Sequence, residues 1–295
     1  MTMPTAPTAN SIVTEALTRF LNGGEPDPDE ITRGIDYGLE KVKRDIMGLG
    51  KTWKPLMNTI YRITKAGVSH YDNPTDFEKD LSVGLMDGTH TGALINVASS
   101  SEVTLAAAED ALQRECEGKM LLITSGNGVN QAQVIDDYVY ATKVATLAAA
   151  FTTTPNVLDG YLVVDRIKDL NEIRIERYDQ FQYPGVPGEP VRFVPIQNDT
   201  VGQIALHPVP DGVYGLQRRY FVDLMRMDTA STRYATILRR WANIFEQGVF
   251  VWKLAEDDDR YETENQNYQN MLITLMAHDL YGFDPVKAGL EKGQE

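Results

Sequence analysis

Short strand-like segments separated by turns fill residues 89–164, and this pattern restricts the possible folds more than any other feature. The stretch is rich in Ala, Thr, Ser and Val and has almost no aromatic residues before Tyr138. Turn residues at 125–128 and 154–156 separate the segments, which is typical of a small all-β domain. Strand-like segments also occur at 78–86 and 173–214, so we expect this domain to be inserted into a host domain. The predicted strands of the insert are Leu94–Val97, Val103–Leu105, Met120–Thr124, Gln133–Tyr138, Lys143–Leu147 and Tyr161–Val164.

Helical periodicity occurs near both ends of the chain. Ser11 is the expected cap of a helix that ends at Asn22-Gly23-Gly24, and Asp27-Pro28 is a typical start for a second helix that continues to Ile46. Gly34 and Gly38 lie four residues apart in the second helix, so we expect another backbone to pack closely there. Apolar residues at helical spacing in 234–255 and 261–275, separated by the acidic residues 256–259, predict an antiparallel helical hairpin.

Other short strands are predicted in the host at 60–63, 68–71, 81–85 and 191–194. Residues 203–206 and 215–222 are predicted to form a hairpin through the turn 207–212. The predicted fold class is therefore α+β, with a helical host domain (N-terminal helix pair plus C-terminal helical hairpin), a small antiparallel sheet and an inserted all-β domain. The expected limits are 1–10 for a flexible arm, 11–88 with 165–281 for the host, 89–164 for the insert and 282–295 for a flexible tail.

Charge and cysteine content exclude several classes of protein. Lys and Arg total 28 against 42 Asp and Glu, which gives a formal net charge of −14 and argues against a protein that grips nucleic acid. The single Cys116 cannot form an intramolecular disulfide. No run reaches the roughly 18 apolar residues that span a bilayer, and residues 1–10 lack the features of a signal peptide. We therefore expect synthesis in the cytoplasm and no membrane contact.

Catalytic and metal-binding patterns are scarce. The four histidines lie in separate contexts without metal-ligand spacing, and Cys116 stands between two glutamates, which favours an inert thiol. Ser125-Gly126-Asn127-Gly128 lacks the third glycine of a dinucleotide loop and predicts a β-turn. Acids 256–259 lack the alternation of a calcium loop. The sequence therefore predicts no enzyme, no cofactor and no metal, although catalytic groups could still meet from distant positions. The doublets Arg218-Arg219 and Arg239-Arg240 are interpreted as interface or surface ion-pairing residues.

Several motifs follow one another along the chain in a definite order. They are Trp53, Tyr71-Asp72-Asn73-Pro74-Thr75-Asp76-Phe77, Gly188-Glu189-Pro190, Ile204–Tyr214, Arg219-Tyr220 and Glu256–Tyr261, with Ile123–Gly128, Ala141–Leu147 and Thr154-Pro155-Asn156 in the insert. Their order resembles the head-to-tail adaptor (connector) proteins of short-tailed bacteriophages. The resemblance covers about 11–87 and 166–280, and the insert is similar to a small β module of phage fibre and tail proteins, from which Val129-Asn130 and Phe151 depart.

This resemblance implies a virion protein, made in the host cytoplasm, at the head–tail interface. It implies a twelve-subunit ring between the portal and the tail or nozzle protein, extending a channel through which genomic DNA passes without specific binding. The insert is then a docking surface for tail fibres, or an outer decoration that contacts nothing. The alternative is a fibre- or carbohydrate-binding tail module without portal contact, and a tail-associated hydrolase is least favoured. The candidate partner-binding residues are Arg239 and Arg240 toward a neighbouring subunit, and Gly282, Phe283, Pro285 and Lys287 in a tail that docks on the portal.

Overall fold

Strands in three sheets dominate the computed structural model, which describes residues 7–48, 56–88, 90–107, 113–175, 186–196, 202–227, 232–254 and 258–281. The sheets contain four, seven and four strands. The helical host domain with a small sheet is therefore wrong, because the host segments on both sides of 89–164 themselves build two four-stranded sheets. Their strands mix polar with apolar residues, as in Phe77–Asp87, and the sequence gives such half-buried strands only a weak signal.

The elements have the following limits. The helices are α1 (Ala9–Phe20), α2 (Pro28–Arg33), α3 (Glu40–Gly48), α4 (Gln113–Cys116), α5 (Thr232–Lys253) and α6 (Tyr261–Tyr281), and a π-helical segment (Gly34–Leu39) joins α2 to α3. The strands are β1 (Met57–Ile63), β2 (His70–Asp72), β3 (Phe77–Asp87), β4 (His90–Ala93), β5 (Asn96–Ser99), β6 (Glu102–Thr104), β7 (Met120–Ile123), β8 (Ala132–Val139), β9 (Val144–Leu147), β10 (Gly160–Val164), β11 (Arg166–Asp169), β12 (Asn171–Glu172), β13 (Arg192–Ile196), β14 (Gln203–His207) and β15 (Gly215–Val222).

The chain divides into two compact units. One is built from the described parts of residues 1–57, 75–78 and 221–295, and the other from those of 58–74 and 79–220. The domain limits drawn from the sequence, including those at 89 and 164, stay a prediction. No helix in the described ranges is long and apolar enough to cross a membrane.

Caps and glycine contacts define the N-terminal helices. Thr8, not Ser11, caps α1: its hydroxyl accepts from the Ser11 amide at 3.1 Å, and the Ser11 hydroxyl accepts from the Thr8 amide. Asp27 caps α2 as the sequence predicted. A Cβ atom at Gly34 would lie 2.5 Å from Cγ1 of Val13. Gly34 is therefore packed closely by a side chain of α1 and not, as the sequence predicted, by another backbone. At Gly38 the near atom is likewise a side-chain atom, because a Cβ there would lie 3.0 Å from the Trp252 ring of α5.

The seven-stranded sheet curls so that its two outermost strands are consecutive in the chain. Its order is β4-β10-β7-β8-β9-β6-β5, yet only Leu94 and Ile95 separate β4 from β5. The amide of Leu94 donates to Asp159 O on one side, and the amide of Ile95 donates to Thr104 O on the other. The sheet is therefore barrel-like. The predicted strand Leu94–Val97 is wrong at its start, because the chain changes strand partner at Leu94–Ile95, whereas the other five predicted segments coincide with β6–β10.

The interior of this barrel-like sheet is apolar and contains the lone cysteine. Cys116 is fully buried there, beside residues that the other strands and turns contribute. The buried cluster is Leu94, Val103, Leu105, Cys116, Leu121, Ile123, Ile135, Tyr138, Ala145, Leu147, Phe151, Tyr161 and Val163.

The two four-stranded sheets join segments that precede and follow the barrel-like sheet in sequence. Their orders are β1-β15-β3-β11 and β12-β13-β14-β2. β11 runs antiparallel to β3, and β14 runs antiparallel to β2. The predicted hairpin of β14 with β15 is wrong, because the two strands lie in different sheets and the connection 208–214 carries the chain from one sheet to the other.

Candidate functional site

A buried ion pair links the strands around β15. The guanidinium of Arg218 donates from Nη2 to both carboxylate oxygens of Asp80 at 2.9 Å and to Oδ1 of Asn73 at 2.9 Å. Arg218 is 0% exposed. Burial raises the pKa of Asp80 and lowers that of Arg218, and the opposite charge of each partner counteracts both shifts. The surface role expected for Arg218 is therefore wrong, because its side chain holds strands together.

The second arginine doublet has the exposure that an interface requires. Arg239 and Arg240 are both exposed on α5. Among the described residues, neither makes an ion pair or a hydrogen bond. The other predicted partner-binding residues, Gly282, Phe283, Pro285 and Lys287, lie outside the described residues, so the structure does not test whether they meet the doublet.

Arg240 lies at the rim of a groove between α5 and α6, called here the α5–α6 groove. Its volume is about 440 Å³. Trp241 lines it at a kink in α5, where the backbone leaves helical geometry at φ −119° and ψ 22°. Apolar side chains next to a free guanidinium are typical of protein interface cores. The lining residues are Arg240, Trp241, Asn243, Ile244, Asn270, Met271, Thr274 and Leu275.

A second groove, the α1–α5 groove, lies where α1 meets the C-terminal half of α5. It has a volume of about 790 Å³, and its charged lining residues are Glu15, Arg19 and Glu246. Burial is the main cause that raises the pKa of the Glu246 carboxyl, the negative charge of Glu15 raises it further, and Arg19 acts in the opposite direction. The remaining lining residues are Thr8, Asn10, Ser11, Thr14, Thr18 and Gly23.

Arg19 binds partners other than the two carboxylates of this groove. Its Nη1 donates to Oε1 of Gln247 at 2.7 Å, and its Nη2 pairs with Oε1 of Glu264 at 3.0 Å. The guanidinium also stacks on Phe250, 4.2 Å from the ring centroid. The carboxylates of Glu15 and Glu246 therefore compete with these three partners for the single cation of the groove, Arg19. Sequence reasoning missed Glu15 and Glu246, because residues so distant in sequence give no local signal that they share a groove.

The glycine-containing turn of the barrel-like sheet is closed by a carboxylate. Oδ2 of Asp159 accepts from the backbone amides of Asn127 at 2.9 Å and Asn156 at 2.8 Å. Gly126 has φ +85°, and a Cβ atom there would collide with Oδ1 of Asp159. The Asn127 amide of this turn is thus bound by the protein's own carboxylate and is not offered to a ligand. The prediction of a turn rather than a dinucleotide loop is confirmed.

No cluster of three or more His, Cys, Asp or Glu that could hold a metal occurs within the described residues. The predictions of no enzyme, no cofactor and no metal stay predictions. No protein-family model matches the chain, and no curated protein matches it. Its function must therefore be inferred from its own residues.

Proposed function

We propose that the protein is a virion structural protein of a short-tailed bacteriophage, a head-to-tail adaptor. In this proposal twelve copies form a ring between the portal and the tail or nozzle protein, and the ring extends the channel through which the genome passes. The observation that carries the proposal is the pairing between the two stretches that resemble adaptor proteins, which lie on either side of residues 89–164.

That pairing is extensive. Tyr71 of the first stretch is opposite Ile204 of the second in the antiparallel pair of β2 with β14. Asp87 is opposite Arg166 in the pair of β3 with β11, and the Asp165 amide donates to Asp87 O at 2.8 Å. Two stretches that form common sheets across an intervening segment are what an interrupted adaptor domain requires, which supports the proposal.

The net charge of −14 supports a channel rather than a nucleic-acid grip. Carboxylates that line a ring repel the phosphate backbone, so DNA slides through without being held. In the proposed virion the DNA is therefore cargo and not a specific ligand.

The barrel-like sheet is proposed as the docking surface for tail fibres. Leu158 is 76% exposed at φ +74°, and Val157 beside it is 50% exposed. The amide of Leu158 donates to Leu94 O at 2.8 Å, which places it near Ile95, itself 47% exposed. Exposed apolar residues at one end of a module are suited to a protein partner.

The deciding experiment is native mass spectrometry and negative-stain imaging of the chain with purified portal rings. We expect a twelvefold ring bound to the portal. A trimer that binds glycan and ignores the portal would instead support the fibre- or carbohydrate-binding module. A chain without residues 282–295 should lose co-sedimentation with portal rings, and unchanged co-sedimentation would contradict the proposed role of that tail.

The docking surface is tested with Leu158→Asn, because Asn tolerates a positive φ and removes the apolar side chain. We expect particles that assemble normally but carry fewer fibres. Val213→Asn, at an exposed position outside the barrel-like sheet, is the matched control. Full fibre occupancy with both variants would favour a module that contacts nothing.

A further inference from the structure

We infer that neighbouring copies of this chain contact each other through α5, with Arg239 and Arg240 of one copy bound to Glu15 and Glu246 of the next. This inference rests on the proposed ring. It names the surface that holds the ring together and commits to a second copy of the chain as the occupant of the α5–α6 groove.

The cationic side of the contact is available for a partner. Arg239 and Arg240 are exposed and unpaired among the described residues, and Arg240 borders the groove that Trp241, Ile244 and Met271 line. Arginine beside aromatic and methionine side chains is the composition that protein interfaces favour. A partner that brings carboxylates to the rim and apolar atoms to the groove satisfies both features.

The same chain carries the complementary charges. Glu15 and Glu246 face each other in the α1–α5 groove, and the neighbouring Arg19 already binds Gln247 and Glu264. A cation from outside would relieve the repulsion between the two carboxylates. The hydroxyls of Thr14 and Thr18 along this groove are further acceptors for guanidinium N–H groups.

The two charged groups do not pair within one copy. In the described residues no ion pair or hydrogen bond joins Arg239 or Arg240 to Glu15 or Glu246. A second copy supplies both complements at once, whereas an acidic partner protein or DNA would satisfy only the arginines. Subunits of a closed ring contact their neighbours through two different surfaces, which is the arrangement that this division of charges provides.

Charge reversal tests the contact. Arg239→Glu with Arg240→Glu should lower the fraction of chain in rings at least tenfold, and Glu15→Lys with Glu246→Lys should do the same. An equimolar mixture of the two variants should restore rings, because each reversed surface then meets its complement on the other chain. Combining all four substitutions in one chain should restore them as well. Arg174→Glu with Arg219→Glu is the control for the arginine variant, with an equal change in net charge at exposed positions, and it should leave the ring intact.

The readout is native mass spectrometry in the presence of portal rings, with circular dichroism to show that each variant is folded. Rings that persist in both reversed variants would overturn the inference and leave the proposed function standing. Folded variants that fail to recover on mixing would also overturn it. If wild-type chain forms no ring on the portal, the proposed function itself is wrong. Where a charge reversal unfolds the chain, Arg239→Gln, Arg240→Gln, Glu15→Gln and Glu246→Gln are used in its place. We then expect rings that dissociate at a lower salt concentration than wild-type rings.

Discussion

At the scale of single residues, Arg218 has the largest expected effect on stability. Arg218→Met removes the cation and leaves Asp80 buried without its charge partner. Loss of one member of a buried pair costs about 3–5 kcal/mol, so we expect the free energy of unfolding to fall by that amount in urea denaturation. Arg166→Met, which breaks an exposed pair with Asp87, should cost less than about 1 kcal/mol.

The double variant Arg218→Met with Asp80→Leu separates pair loss from loss of packing. Removing both charges leaves no unpaired group, so the double variant should be more stable than Arg218→Met alone. Equal stability of the two variants would show that the ion pair is not the cause of the loss.

The burial of Arg218 could have been read from the strand pattern. Residues two apart on a strand share a face, and Leu216 and Tyr220 flank Arg218 at that spacing. Both are buried, and Arg219 points the other way and is exposed. The identity of its partners was not predictable, because Asp80 lies on another strand, β3, and Asn73 directly follows β2.

Glu246 gives a stability effect that depends on pH. Burial and Glu15 raise its pKa above the usual 4.5 in the folded chain. Ionisation therefore costs more in the folded than in the unfolded state, and this cost is absent below pH 4.5 and complete above the raised pKa. We expect Glu246→Gln to raise the free energy of unfolding of the monomeric chain by less than about 1 kcal/mol at pH 7.

The same substitution should have no effect well below pH 4.5, where the carboxyl is protonated in both states. Urea denaturation at the two pH values measures the difference. Glu102→Gln, at an exposed position of β6, is the matched control and should change neither value. A loss of stability at pH 7 in the Glu246 variant would show that this carboxylate already has a favourable partner within one copy.

At the scale of elements, the packing of α1 depends on Gly34. A methyl group at this position would lie 2.5 Å from Cγ1 of Val13 and must push α1 away. Overpacking of this kind costs about 1–3 kcal/mol, so Gly34→Ala should lower the free energy of unfolding by that amount. Gly48→Ala has no atom near its added methyl group and should be neutral or stabilising.

A compensating variant identifies the contact. Val13→Ala removes the atom that the new methyl group meets. The double variant Val13→Ala with Gly34→Ala should therefore lose less free energy of unfolding than the two single variants lose together. If the double variant loses more free energy of unfolding than the two single variants lose together, the strain lies at another contact.

Local signals predicted the helices better than the sheet partners. The cap at Asp27 and the spacing of apolar residues located α2 and α5 within a few residues, because both signals are contained in one stretch of chain. The connection between β14 and β15 has the residues of a hairpin turn, yet it joins two sheets. Strand pairing is set by contacts distant in sequence, so alternation located the strands and could not assign their neighbours.

At the scale of the whole molecule, the balance of helix and sheet was the main error. The resemblance and the strong periodicity of the terminal helices favoured a helical host. The strands from Met57 to Asp87 and from Arg166 to Val222 are numerous and partly polar, and only their mutual pairing shows that they form two sheets. The two arginine doublets illustrate the same limit, since one is partly buried in a sheet and the other is exposed on a helix.

The net charge of −14 determines how the chain should behave toward duplex DNA. With 28 basic and 42 acidic residues, the chain should not retain duplex DNA even at low salt, where phosphate contacts are strongest. Fluorescence anisotropy of a labelled duplex, titrated with the chain at about 10 mM and 150 mM salt, measures this directly. We expect no saturable binding at either concentration, and the portal-bound ring should behave in the same way because each added copy increases the negative charge.

A variant with reversed acids is the control for the assay. Glu15→Lys with Glu246→Lys adds two cations at the α1–α5 groove, one of them on the helix that carries Arg239 and Arg240. This variant should bind the duplex measurably at low salt, with an affinity that falls as salt rises. Wild-type binding that weakens steeply with salt would show that the basic residues of this chain line the DNA path. The acidic excess would then lie on the outside of the ring. The proposal that carboxylates of the channel repel DNA and let it pass would be wrong, even for a ring that binds the portal.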